Sequence, residues 1–248
     1  MTAQIAWHEI KVLWRSPFAW LAAGLLQLLF AWLFLSAVER YVDLQTSATG
    51  TVSAGGLSSY LVVHFLAPVS IVFMVATPLL CMQLIAGDKA SNRFNLLLSL
   101  PLSARQLVIG KFMGATAFQF FIIAMSSILV ALLSFSVKLD ASHLLTAATG
   151  LLLFIASITA LTLFFSALVK RPMLAAFLSF ITVALLWMAA ASSANGALQF
   201  LSPSAHLHSF MQGLLDSRDI TYFLTATGIL LTLGIWRFDV QRVRGVAA

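Results

Sequence analysis

Long apolar runs separated by short polar stretches organise the chain: 17–38, 60–86, 107–135, 144–169, 173–191 and 220–236. A helix crosses a hydrocarbon core of about 30 Å with roughly 17 to 25 residues, so each run is long enough. None alternates between apolar and polar positions as a barrel strand does, and in lipid the remaining way to satisfy the backbone is within the segment itself. The pattern predicts an all-α membrane protein of six transmembrane helices. Several boundaries carry their own punctuation. Ser16 is an N-cap before a proline at the first helical position, Pro172 after Arg171 opens the fifth run in the same manner, and Ser103 with Gln106 forms a capping box ahead of the third.

Three stretches outside the runs are patterned as well. In AQIAWHEIKVLWR, residues 3–15, one helical face carries Ala3, Trp7, Ile10 and Trp14, and another carries Gln4, His8, Lys11 and Arg15. A helix with Trp on its apolar side and cations opposite lies in the membrane interface. Residues 1–16 are therefore expected as an interfacial helix, with Trp7, Lys11, Trp14 and Arg15 meeting lipid, either as a simple anchor or as a cuff for a soluble partner. Residues 88–100 set Asp88, Lys89, Asn92 and Arg93 at polar positions and Phe94, Leu97 and Leu98 at helical spacing, and Pro101 ends the pattern before Ser103. This predicts a short helix across the ends of spans two and three, suited to docking in a partner's groove or to lying on the membrane surface as a connector. Residues 194–218 are too apolar for a free loop. Leu207, Phe210 and Leu214 share a face, so one or two short helices dipping into the membrane are expected, with Gly213 allowing close packing.

Composition sharpens this picture. Hydrophobic residues make up 61% of the 248 and charged residues 9%, where a soluble domain carries roughly 25% charged residues; mean hydropathy is +1.00. Spanning helices consume nearly the whole chain and leave no room for a soluble catalytic domain. The lone Cys81 forms no internal disulfide and reads as packing. The first run exceeds the apolar core of a signal peptide, about 7 to 15 residues, and is read as a retained helix. Alternating the spans places Lys11, Arg15, Lys89, Arg93, Arg105, Lys111, Lys170, Arg171, Arg237, Arg242 and Arg244 on one side, eleven cations, against Arg40, Lys138 and Arg218, three, on the other. The richer side is expected to be cytoplasmic, with both termini there. An excess of cations in such a chain points to this asymmetry rather than to nucleic acid.

Candidate chemistry is sparse. The sequence holds no H-E-x-x-H, no G-x-S-x-G and no G-x-x-x-x-G-K-[ST], so neither a catalytic centre, a metal nor a bound cofactor is expected on this chain. Glu39 and Asp43 lie one helical turn apart and read as a solvated helix end. His206 and His208, two apart, lack a third ligand and read as interfacial, as do His64 and His143. Lys111 is placed near the rim, where it can snorkel, leaving no ionisable group inside the spans and weighing against an ion-coupled carrier. Ser126, Ser127, Ser134, Ser157, Thr159, Thr162, Ser166, Ser179 and Thr182 read as helix-packing residues.

LLLSLPLSARQLVIGK, residues 96–111, resembles the signature of ABC-2 type transporter permeases: an acidic residue opens a cytoplasmic coupling helix, and a leucine-rich run, a proline, a hydrophilic turn and Gly-Lys follow. Asp88, Leu96, Leu97, Leu98, Pro101, Gly110 and Lys111 match it. Asp88 stands where the family usually has Glu, and Asn92-Arg93 where it usually has Gly-Thr. EIKVLWRSP at 9–17 is similar to the family's interfacial helix. HLHSFMQGLLDSRDITYFLTATGILL at 206–231 looks most like the permeases related to gliding-motility and copper-reductase-maturation transporters. The resemblance implies a six-helix transmembrane domain over 17–237, a cytoplasmic tail over 238–248 and a coupling helix whose Asp88, Lys89, Asn92, Arg93, Phe94, Leu97 and Leu98 receive force. It implies a half transporter in a bacterial inner membrane: a second permease copy or homologue, two ABC ATPase subunits holding ATP and Mg, and an outer-facing accessory subunit as a further partner. The function so implied is a permease of an ATP-driven exporter. The alternative is a non-transporting anchor that transmits force in an ABC-type assembly machine, and a carrier working without an ATPase is a third reading.

Overall fold

The computed structural model describes residues 7, 11, 16–46, 56–90, 103–135, 137, 139–189 and 200–246. Six stretches are long and apolar enough to cross a membrane: Pro17–Thr46, Gly56–Gly87, Ala104–Ser134, Ala141–Leu168, Pro172–Ala189 and Ser217–Val240. Each run read from the sequence has its helix. We label the helices α1 (Pro17–Thr46), α2 (Gly56–Leu61), α3 (Ala67–Cys81), α4 (Gln83–Ala90), α5 (Ala104–Ser134), α6 (Ala141–Leu168), α7 (Pro172–Ala189), α8 (Pro203–Met211) and α9 (Ser217–Val246), with a π-helical turn, Val62–Leu66, between α2 and α3.

The starts follow local chemistry. Ser103 Oγ accepts from Gln106 N at 3.2 Å and Gln106 Oε1 accepts from Ser103 N at 3.3 Å, so the capping box forms. Asp140 Oδ1 accepts from the Ser142 amide at 3.0 Å and the Ser142 hydroxyl at 2.7 Å; that hydroxyl, then the His143 amide, hold the Asp140 carboxyl below its ordinary range. Prolines open α1, α7 and α8, where a missing N–H costs nothing.

Span two differs from the single run the sequence shows. It is four segments in series: Pro68, with no N–H to give the i→i−4 ladder, sits where the π-helical turn passes into α3, Pro78 is carried inside α3, and a turn at Met82 separates α3 from α4.

Span four, α6, is the centre. It packs against α9, α3, α7, α8 and α5, and 61% of its apolar window is buried, against 17% for span six. Its buried face includes Ala147, Leu151, Phe154, Ile155 and Ile158. Phe154 and Phe210 both meet the ring of Phe223 on α9, with centroids 6.4 and 6.2 Å away. A second, smaller core of Cys81, Ile85, Leu107, Val108, Leu163, Ala167 and Phe238 fills the other end of the bundle. The outward faces stay apolar: Phe18, Leu28, Trp32, Phe177 and Met188 are exposed, as lipid-facing side chains are.

The expected short helix in 194–218 is α8, and residues 194–199 lie outside the described residues. It lies hard against α6 at Gly150, where a Cβ would sit 2.4 Å from Phe210 Cβ. Gly213 has φ +80 and its Cβ would come 2.9 Å from the His143 ring, so two glycines set this approach. Gly150→Val should destabilise the fold by about 1 to 3 kcal/mol through overpacking, lowering the unfolding midpoint, and speed protease cleavage at residues 203–215. Gly24→Ala, where nothing lies within 4 Å, should cost nothing in the same assay.

Candidate functional site

The helix that begins after Met82 leads straight into the charged segment singled out in the sequence. Asp88 and Lys89 form its last turn within α4, while Asn92, Arg93, Phe94, Leu97, Leu98 and Pro101 lie outside the described residues. Of the interfacial group, Trp7 and Lys11 are helical and exposed, with Lys11 Nζ 5.4 Å from the Trp7 ring centroid; Trp14 and Arg15 lie outside the described residues.

What holds Asp88 and Lys89 in place is span four. Ser166 Oγ accepts from Ile85 N at 3.1 Å and Ala86 N at 2.8 Å and donates to Met82 O at 3.2 Å. One hydroxyl is thus inserted at the break in span two, serving amides that lack helical partners there. Three residues on, Lys89 Nζ donates to Ala167 O, one of the terminal carbonyls of α6, where a cation is favoured by the helix dipole. Ser166 is fully buried. The two contacts clamp the inner end of span two to the last turn of the central helix.

About two turns deeper, three helices share a polar knot. Thr77 Oγ1 of α3 donates to Gln119 Oε1 of α5 at 2.7 Å, and Gln119 Nε2 donates to Thr159 Oγ1 of α6 at 3.0 Å and to Cys81 Sγ at 3.4 Å. Gln119 is 1% exposed with both polar atoms partnered. Hydrogen bonds of this kind join membrane helices with about 0.6 to 2 kcal/mol each.

The clamp is electrically loaded. Burial, then the repulsion of Arg237, then that of Lys170, push the Lys89 ammonium from its ordinary 10.5 down to about 8.

Two expectations change. Lys111 does not snorkel: it is 4% exposed because it falls, with Gly110, on the stripe through Leu107, Val108, Gly114 and Ala115 that α5 turns into the bundle. His206 is not interfacial. It is buried, with Nδ1 2.6 Å from Asp219 Oδ1 and Nε2 2.8 Å from Phe200 O, and its ring stacks on Tyr222 at 3.9 Å. Its neighbour His208 stays exposed beside Gln212, and His143 Nε2 meets Met211 O at 3.0 Å. Among the described residues no group of three or more His, Cys, Asp or Glu is placed to hold a metal ion. Glu39 and Asp43 are exposed on the last turns of α1.

The sequence reading missed the clamp and the knot. Ser166 is one hydroxyl among nine with nothing local to mark it, whereas Gln119, a Gln inside a 31-residue apolar helix, carries in the sequence itself the signal that it needs partners.

The family model for ABC-2 family transporter proteins matches residues 3–242. No curated protein matches the chain in sequence. The chain belongs to the ABC-2 transporter family: it is a multi-pass membrane protein and a permease subunit of an ABC transporter.

Ser166→Ala should leave the Ile85 and Ala86 amides unpaired at the break, at a cost of about 1 to 3 kcal/mol, and hydrogen exchange at those two amides should rise most. Amine acylation followed by mass spectrometry should find Lys89 half-reactive near pH 8, against about 10.4 for an ordinary lysine. Because folding depresses this group, its charged form opposes the fold below about pH 8; that opposition fades as pH rises toward the unfolded value.

Proposed function

We propose that this permease serves an ATP-driven exporter in the cytoplasmic membrane of a bacterium, with both termini cytoplasmic, two copies or homologues forming the pathway and two ATPase subunits beneath holding ATP and Mg. The likeness of residues 206–231 to permeases related to gliding-motility and copper-reductase-maturation transporters is a finer proposal resting on that stretch alone; the family match goes no further than the ABC-2 family.

The observation that carries the coupling role is the clamp. Residues 91–100 leave from the end of α4, and α4 is fastened by Ser166 and Lys89 to the terminal turn of α6. A push on that segment by a closing ATPase pair is delivered to the helix on which spans two, three, five and six pack, and so favours one arrangement of the bundle over another. The coupling residues in this reading are Asp88, Lys89, Asn92, Arg93, Phe94, Leu97 and Leu98.

A second reading, a force-transmitting anchor in an assembly machine, is favoured by the opposite end. There α8 is fixed to α6 at Gly150 and to α9 through His206 and Asp219, so motion of α6 reaches the far face as well. An outer-facing accessory subunit would take it up.

Replacing residues 91–100 with a Gly/Ser linker, in a chain that still inserts and still copurifies with its ATPase, should abolish permease-stimulated ATP hydrolysis; stimulation left intact would refute the coupling role. In the second reading, surface substitutions on α8 disturb assembly with the outer partner and leave stimulation unchanged.

A further inference from the structure

We infer that the end of the bundle where spans two, four and six finish binds the phosphate of an anionic phospholipid, held by Arg237, Lys170 and Lys89. This needs only a membrane-spanning bundle and stands whichever functional reading holds.

The three cations meet at the last turn of α6. A Cβ on Gly234 would lie 3.9 Å from Leu163 Cδ2 and 4.0 Å from Phe164 Cα, so α9 runs alongside α6 there. Arg237, one turn further on, comes level with Ala167. Lys89 donates to the carbonyl of that same Ala167, and Lys170 follows it by three residues. The electrostatics agrees with the geometry, since Arg237 and Lys170 both act on the Lys89 charge.

Arg237 and Lys170 repel Lys89. Asp219, in contact with His206, is at the opposite end of the bundle. Asp239 is exposed and stands about 200° round the helix from Arg237. Arg237 Nε is buried and has no acceptor among the described residues, which for a guanidinium donor is a position waiting for an oxyanion.

Depth selects the source of that oxyanion. The spanning stretches end at Gly87, Leu168 and Val240, so the three side chains sit where the hydrocarbon gives way to headgroups. Basic pockets between helix ends at this level recognise lipid phosphates. A free phosphate or an acidic side chain of a partner would offer the same oxygen chemistry from the aqueous side.

The test uses the full chain in nanodiscs of phosphatidylcholine alone or mixed with phosphatidylglycerol. Lipid retained on delipidation is read by native mass spectrometry, and Lys89 acylation is followed against pH. The wild type should retain phosphatidylglycerol in preference, with Lys89 labelling displaced to higher pH in its presence. Arg237→Gln and Lys170→Gln should each weaken the preference about fivefold, and Arg237→Lys should keep most of it. Equal retention of both lipids by the wild type overturns the inference, and so does an Arg237→Gln protein with an unchanged unfolding midpoint that keeps the full preference. Inorganic phosphate shifting Lys89 as far as the anionic lipid does would make this a soluble-anion site, and a shift produced only by adding the ATPase partner would make it a protein contact; either result also overturns the lipid assignment. Should a Gln variant fail to insert, the wild-type lipid comparison and the Lys89 profile decide alone.

Discussion

A serine hydroxyl lodged in a broken helix is the interaction on which the arrangement turns. Lipid offers no water to backbone groups, so an interruption inside a span must be repaired by protein. At Met82 the repair comes from Ser166, on a different span, which takes two amides and gives its proton to a carbonyl. The break therefore cannot move without α6, and α6 is the helix on which spans two, three, five and six pack. Lys89 repeats the attachment one turn further along. A defect in one helix has become the joint between two.

The same logic explains why the bundle has two cores. The larger one, with Phe30, Phe73, Phe154 and Phe223, is built of aromatic contacts and is closed off on one side by α8. The smaller, around Ile85, Val108, Leu163 and Phe238, is mostly aliphatic and surrounds the clamp. The Thr77, Gln119 and Thr159 knot lies between the two ends, so polar contacts that demand fixed geometry mark the level where the packing changes character. α3, α5 and α6 each contribute to both cores and to the knot, and of the three α6 is the most deeply buried, so a displacement of its inner end is carried to the far end of the bundle.

The six spans were legible because length and hydropathy are properties of a single segment, and the capping box at Ser103 was legible because its partners are three residues apart. Contacts joining distant residues were not. Ser166 meets amides 80 and 81 positions away, and nothing in its neighbourhood distinguishes it from Thr162, whose hydroxyl merely returns to Ile158 O. Two histidines two residues apart look alike in sequence, yet the helical turn sends His206 inward to Asp219 and His208 outward. Lys111 looked like a rim residue by charge, whereas its place in the stripe of Leu107, Val108 and Ala115 was the better guide. Of the coupling segment, Asp88 and Lys89 fall within a described helix, and the positions from 91 to 100 are known by pattern alone.

The π-helical turn at Val62–Leu66 has a consequence for the phasing of span two. A wider turn advances the helix by one residue without adding a full step, so the halves on either side present faces offset by about 100°. That offset lets Ser58 receive the Asp140 amide at 2.7 Å at one end while Phe73 and Thr77 still point into the interior at the other. Removing one residue from that turn would leave composition and hydropathy nearly untouched and yet rotate a whole half-span out of alignment with its neighbours.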